Sequence, residues 1–400
     1  MFKGVRKMSV RRFAKNLSKY LCGKRILPQG ISKDNSLSSI IENSMLAYNA
    51  GRIREACHLL QERYSQKDVT IGVSLAGALT PAGLGPSAII PLMNYGYIDW
   101  ISSTGANMYH DIHFAFNLPL HQGSHLFPDK ELREQNVIRI YDVVGDYQGV
   151  LMKTDSILKQ ILTRKEFQKE MGTQEFYHHL GKVMDEFEKK NMLHEVSILA
   201  AAYRNGIPVF TSSPGDSTIG MNISGLEDFC RILGLKKFKL KINPSIDVRE
   251  ATAIVLDAKL SKRKTGVILV GGGSPKNFML QTEPQIQEIL RIPEAGQDYF
   301  IQITDARPDT GGLSGATPSE AVSWGKVDPG KLEETVIVYA DSTIVLPLMT
   351  SYILQRAPQK GLKRLYDRRE ELSEKYCEEF IKHFKRKAPA EFKDLAARLS

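Results

Sequence analysis

The sequence has no closely spaced pair of cysteines and no long apolar run. Its four cysteines, Cys22, Cys57, Cys230 and Cys377, are scattered and never fall into a CxxC spacing. That argues against a zinc ribbon or a disulfide framework and fits a reducing cytoplasmic setting. The most apolar stretches, residues 88–93 and 266–270, are far shorter than the ~20 residues a membrane span requires, and the start lacks the apolar core of a secretory signal. Acidic residues are missing from the first 33 positions, which carry ten lysines and arginines. The remainder holds 44 basic against 45 acidic residues, so the net charge of +9 describes an N-terminal arm, residues 1–36, and not the folded body. Such an arm can meet an anionic surface, a nucleic acid or an acidic partner, or serve as an organelle import signal. As a solvated extension it needs none of these, and neither nucleic-acid nor membrane binding is expected from it.

What is present is an α/β pattern. The 400 residues are 42% apolar, enough for a large core without metal or disulfide support. Apolar residues from Leu37 to Leu60 recur at helical spacing. From Val69 onward, short β-rich runs alternate with helical stretches: residues 69–75, 97–102, 207–211, 266–270, 299–304 and 336–340. This alternation predicts a mostly parallel sheet with helices on both faces, Rossmann-like in architecture. Strands buried on both sides read as continuous apolar runs, as in Val267-Ile-Leu-Val270. The charged stretch 127–195 is expected to be a helical insertion or cap. Residues 356–400 are expected to be a charged helical tail with a solvated face, leaving 37–355 as the catalytic domain.

Ligands of open α/β sheets bind outside the carboxyl ends of the strands, and each expected strand runs into glycine, hydroxyl or aspartate residues there. The first is followed by Ser74-Leu-Ala-Gly-Ala-Leu-Thr-Pro-Ala-Gly-Leu-Gly85 and the second by Ser102-Ser-Thr-Gly-Ala-Asn107. Small residues at such positions let backbone amides approach a phosphate or ribose, although no G-x-G-x-x-G fingerprint occurs. Beyond the second turn lie His110, Asp111 and His113. These lack the i, i+4 histidine spacing of zinc helices, and no metal site is expected. The third strand leads to Asp216, and the fourth to Gly271, Gly272 and Gly273, whose bare backbone suits a flat ligand. Four such turns on one sheet edge favour a dinucleotide.

The most distinctive segment is Asp309-Thr-Gly-Gly-Leu-Ser-Gly-Ala-Thr-Pro-Ser-Glu320-Ala-Val-Ser-Trp324-Gly-Lys326. A lysine attacks a carbonyl or imine carbon only as the neutral amine, so it needs an apolar or cation-rich environment. The indole of Trp324 supplies an apolar wall that also attracts alkylammonium groups, and Glu320 offers an ion-pair partner for one end of a polyamine.

With these motifs in order over residues 38–350, the chain resembles the deoxyhypusine synthase family, in its archaeal and bacterial branches. Lys130-Glu-Leu-Arg-Glu134 with Arg139, residues 207–210 and Val338-Tyr-Ala-Asp341 add to the resemblance. It implies a homotetramer with active sites shared between subunits, NAD as cofactor, and transfer of an aminobutyl group from spermidine to an acceptor. That acceptor is the hypusine-site lysine of a translation initiation factor 5A-type protein. Alternatives are a homospermidine synthase-like transfer to putrescine or another small amine, and an inactive NAD-binding regulatory paralogue. The resemblance places Lys326 as the imine-forming residue, with Thr104, Gly105, Asp216, Gly272, Thr304, Asp341 and Ser342 toward NAD and Glu320 and Trp324 toward the polyamine. Where eukaryotic members carry amine-holding acids this chain has Met221 and Leu313, and Asn277 replaces a histidine. The acidic pair after the Thr-Gly turn becomes Tyr109-His110, so His110, Asp111, Asp305 or Asp309 are the expected replacements in amine binding.

Overall fold

The computed structural model describes residues 21, 23 and 25–400, so most of the basic arm lies outside the described residues. Six parallel strands form the central sheet: β1 (Val69–Leu75), β2 (Trp100–Ser103), β3 (Val209–Thr211), β4 (Lys264–Val270), β5 (Tyr299–Thr304) and β6 (Thr335–Tyr339). Their order across the sheet is β3-β2-β1-β4-β5-β6. The direction of winding therefore reverses between β1 and β4, which pair in parallel register from Val69 with Lys264 to Leu75 with Val270. The carboxyl ends of strands beside such a reversal are the place where doubly wound sheets hold ligands.

The six expected strands are all present, with ends shifted by at most three residues. Apolar side chains leave both faces of the sheet. On one face Ile71, Val73, Ile101 and Ile268 pack with the helices that precede β1 and follow β6. On the other, Trp100, Phe210, Val267, Leu269 and Phe300 pack in one cluster with residues of helices Pro244–Leu260 and Arg369–Lys387. The two sheet ends differ in chemistry. At the amino end, buried carboxylates bind backbone and lysines: Asp99 accepts from Ile71 N at 2.8 Å and pairs with Lys363 at 2.7 Å. The carboxyl end carries glycines and hydroxyls.

Two expectations change. The stretch 127–195 is not wholly helical: Leu120–Gln122, Val137–Ile140 and Val143–Asp146 form a small antiparallel sheet. Nor is helix Thr173–Lys190 an external cap, because Phe176, Tyr177, Leu180 and Met184 are buried in the main core. The segment beyond residue 356 likewise packs closely. Leu372, Tyr376 and Phe384 are buried, and Lys375, Arg368 and Arg263 converge on Asp257. Apolar residues recurring every three or four positions along the helix produce this, beneath a surface rich in charge.

Candidate active site

The segment bearing Lys326 is shaped by a short helix, Pro318–Ser323. Thr317 caps it by accepting from Glu320 N at 3.2 Å, and Pro318 occupies the first turn. Gly325 ends it at φ 66°. A Cβ there would come within 2.2 Å of Gln287 Oε1, a side-chain end that can shift, so it is the positive φ that demands glycine. Gln287 donates from Nε2 to Gly325 O at 2.7 Å, and Gln297 N donates to Lys326 O at 3.0 Å. The lysine backbone is thus held from two sides.

The half-buried Lys326 side chain enters a cavity of about 350 Å³ lined by Leu280, Leu313, Ala321 and Trp324 among others. Its Nζ donates to Asn277 Oδ1 at 2.9 Å and lies 5.8 Å from the Trp324 ring centroid. Burial lowers the pKa of the Lys326 amine, with the Glu320 carboxylate opposing. The direction favours the neutral amine that a nucleophile requires.

The same cavity contains Lys276, which sequence reasoning missed. This lysine is buried, and its Nζ donates to Ala316 O at 2.7 Å and Gln302 Oε1 at 3.0 Å. No carboxylate pairs with it among the described residues. Burial and the charge of Lys326 push its pKa down to about 8. A second ammonium group near a lysine nucleophile is a recognised way to keep the nucleophile neutral. The available signal was a lone cation, Lys276, in the first turn of the otherwise uncharged helix Gly273–Leu280. Glu288 was missed as well; it lines this cavity beside Lys276 and Asn277.

The expected cofactor residues lie at the carboxyl ends of the strands or at the starts of the following helices. Thr104 caps helix Gly105–Ala115 and donates to Gly77 O at 2.6 Å. Asn107 ties down the first turn, accepting from Leu79 N at 2.6 Å. Asp341 caps helix Ser342–Arg356, with Ser342 as its first residue, and accepts from Thr343 N at 2.6 Å. Asp216 lies exposed in the turn after β3, and Thr304 ends β5. Two glycines serve the chain's own packing. A Cβ on Gly272 would fall 2.3 Å from Ser314 Cα, and one on Gly105 would fall 2.5 Å from Ser217 Oγ. The bare backbone at Gly272, expected to face a flat ligand, faces the 312–316 loop. Open space remains over Gly77, Gly83 and Gly273, all at positive φ, where an added Cβ would meet nothing within 4 Å. These turns follow β1 and β4 at the carboxyl edge of the sheet, and their bare backbone leaves room that a dinucleotide would fit.

His110 and Asp111 are not brought to the Lys326 cavity. Asp111 is buried, and its oxygens accept from Ser197 Oγ at 2.6 Å, Ile198 N at 2.8 Å and Leu199 N at 3.0 Å. It therefore caps the helix Ile198–Asn205, whose first amides would otherwise be orphaned. His110 Nδ1 sits 3.1 Å from His113 Nε2, and His113 Nδ1 is 2.8 Å from Thr154 Oγ1. Burial lowers the His110 pKa to about 4 and, with the charge of His110, that of His113 to about 3, so both rings are neutral near pH 7. Asp309 is engaged by Arg307.

A parallel doubly wound sheet, with a half-buried lysine in a cavity at its carboxyl edge, defines the class of α/β protein to which the chain belongs. The deoxyhypusine synthase family model matches residues 40–353, and the chain belongs to this family. It is 50% identical over 365 residues to the "Deoxyhypusine synthase-like protein" of Nostoc sp. strain PCC 7120, covering 91% of this chain and 93% of that one. It is 35% identical to "Probable deoxyhypusine synthase 2" of Methanosarcina acetivorans, covering 83% and 90% respectively. A crystal structure of a candidate deoxyhypusine synthase from Entamoeba histolytica superposes with a TM-score of 0.52 at 14% identity, over 84% of this chain and all of that one. This last similarity concerns the fold. No described helix is long and apolar enough to cross a membrane.

Proposed function

We propose that the chain is an NAD-dependent transferase that moves an aminobutyl group from spermidine, through an imine on Lys326, to an acceptor amine. The observation that carries this reading is the Lys326 amine, desolvated beside Trp324 and Lys276 in a cavity whose rim bears Glu320. Thr104, Asp216, Asp341 and the open turns at Gly77, Gly83 and Gly273 would hold the cofactor. The chemistry NAD supplies when bound is removal of hydride from the carbon beside the secondary amine of spermidine, and its return at the end.

The residues of the chain perform the remainder. Lys326 Nζ attacks the oxidised carbon, the carbon–nitrogen bond to the propyl arm breaks, and 1,3-diaminopropane leaves with the proton the lysine gives up. Asn277 Oδ1 orients Nζ for attack, and Trp324 walls that side of the approach. The acceptor amine then displaces Lys326 from the imine carbon, which restores the lysine for another cycle.

The acceptor in the first reading is the hypusine-site lysine of an initiation factor 5A-type protein. Transfer to a small amine such as putrescine is the second reading. It is favoured by Leu313, which lines the cavity where eukaryotic members of the family are expected to carry an acid. Incubation with NAD and labelled spermidine tests both. Release of diaminopropane is the expected result, and homospermidine formed with putrescine alone selects the second reading. Absence of diaminopropane and of any new polyamine overturns the proposal.

A further inference from the structure

A second cavity, of about 490 Å³, adjoins the first; Asn277, Gln281, Pro284, Glu288 and Leu313 line both. Its other walls combine hydroxyls, such as Ser274 and Thr252, with apolar side chains, such as Val248 and Phe278. Among its fourteen lining residues Glu288 is the one ionisable group. A half-apolar groove with a single carboxylate matches an alkyl chain ending in an ammonium group.

Glu288 is placed for this task. It sits on a wide helical turn, Gln285–Ile289, pinned on one side by Gln287 bonding Gly325 O and on another by Gln285 bonding the Tyr376 hydroxyl at 3.1 Å. The first of these anchors is the residue next to Lys326, so the carboxylate and the nucleophile share one frame. Turns of this wide type occur often at functional sites. The neighbouring acids behave differently: Glu283 and Glu294 turn to Lys259, whereas Glu288 forms no ion pair among the described residues.

We infer that the second cavity is an amine subsite, in which Glu288 binds the distal ammonium of a diamine or polyamine whose reacting carbon lies at Lys326. The inference rests on the proposed amine chemistry and names where the second charge of the substrate goes. Glu320 lines the first cavity only, so the two carboxylates hold different parts of the chain. Glu288 thereby takes over the amine-holding work that Leu313 does not perform.

The test is calorimetric titration of the full chain, in the presence of NAD, with putrescine, 1,3-diaminopropane, spermidine and butylamine. Glu288→Gln is expected to weaken spermidine binding at least tenfold and butylamine binding much less, with Glu288→Asp recovering part of the loss. Borohydride-dependent labelling of Lys326 by uncharged butanal is expected to persist in Glu288→Gln, showing that the lysine and its surroundings remain in place. Equal spermidine affinity in wild type and Glu288→Gln overturns the inference, as does a wild-type chain that binds none of the amines. If spermidine binds through Glu288 but no diaminopropane is released, the transferase reading fails and the subsite stands.

Discussion

Lys276 and Lys326 share one cavity, and coupling between two ammonium groups is reciprocal: each makes the other easier to deprotonate. Replacing Lys276 with methionine removes this repulsion, so the fraction of neutral Lys326 at a given pH falls. The pH dependence of amine labelling at Lys326 is then expected to move to higher pH; an unchanged profile contradicts the coupling. Lys276→Arg keeps the charge and is expected to keep the profile. Lys326→Arg, which stays charged at all accessible pH, is expected to lower turnover by at least a hundredfold while leaving the thermal midpoint near that of the wild type. Lys326, Trp324 and Glu320 were legible in the sequence because their motif is contiguous. Lys276 and Glu288 were not, since a cation and an acid amid helical patterns read as solvated, and only the tertiary fold reveals which one is buried and which one meets a cavity. Asp111 misled for the converse reason: a carboxylate beyond a Thr-Gly turn looks available, but the Ser197 hydroxyl and the orphan amides of Ile198 and Leu199 claim it.

At the scale of elements, the strands were readable because burial on both faces makes each a continuous apolar run bounded by turn residues. The order β3-β2-β1-β4-β5-β6 was not, since pairing depends on contacts distant in sequence. The turns that follow are under tight steric constraint. Gly272→Ala forces a Cβ against Ser314 Cα and is expected to destabilise the fold by about 1–3 kcal/mol, measured by chemical denaturation. The junction of helices Pro244–Leu260 and Arg369–Lys387 gives a pH-dependent prediction. Burial alone would raise the pKa of Asp257, but Lys375, Arg263 and Arg368 override it and hold the carboxyl below the usual carboxylate value. A carboxyl depressed in the folded state stabilises above its unfolded pKa, and the contribution is lost as pH falls through the folded value. Wild-type stability is therefore expected to drop below about pH 4 by more than that of Asp257→Asn, which lacks this titration. Parallel pH profiles for the two proteins contradict this.

For the whole molecule, apolar side chains remain uncovered on the stretch from Met221 to Leu235. Phe229, Ile232, Leu233 and Leu235 are each at least half exposed. Exposed apolar patches of this kind mark association surfaces, and the family resemblance implies a homotetramer. Ile232→Asp with Phe229→Asp is expected to shift the sedimenting species to lower mass and to reduce turnover, if sites are shared between subunits. An unchanged mass contradicts the assignment of this stretch to a subunit contact.

The central claim is that Lys326 carries the transferred group, and trapping it there is the direct measurement. Full-length protein is incubated with labelled spermidine, with and without NAD, treated with borohydride, digested and mapped by mass spectrometry. The account predicts label on the peptide containing Lys326 only when NAD is present, and none in Lys326→Arg. Label at another residue, or none anywhere despite diaminopropane release, would contradict it.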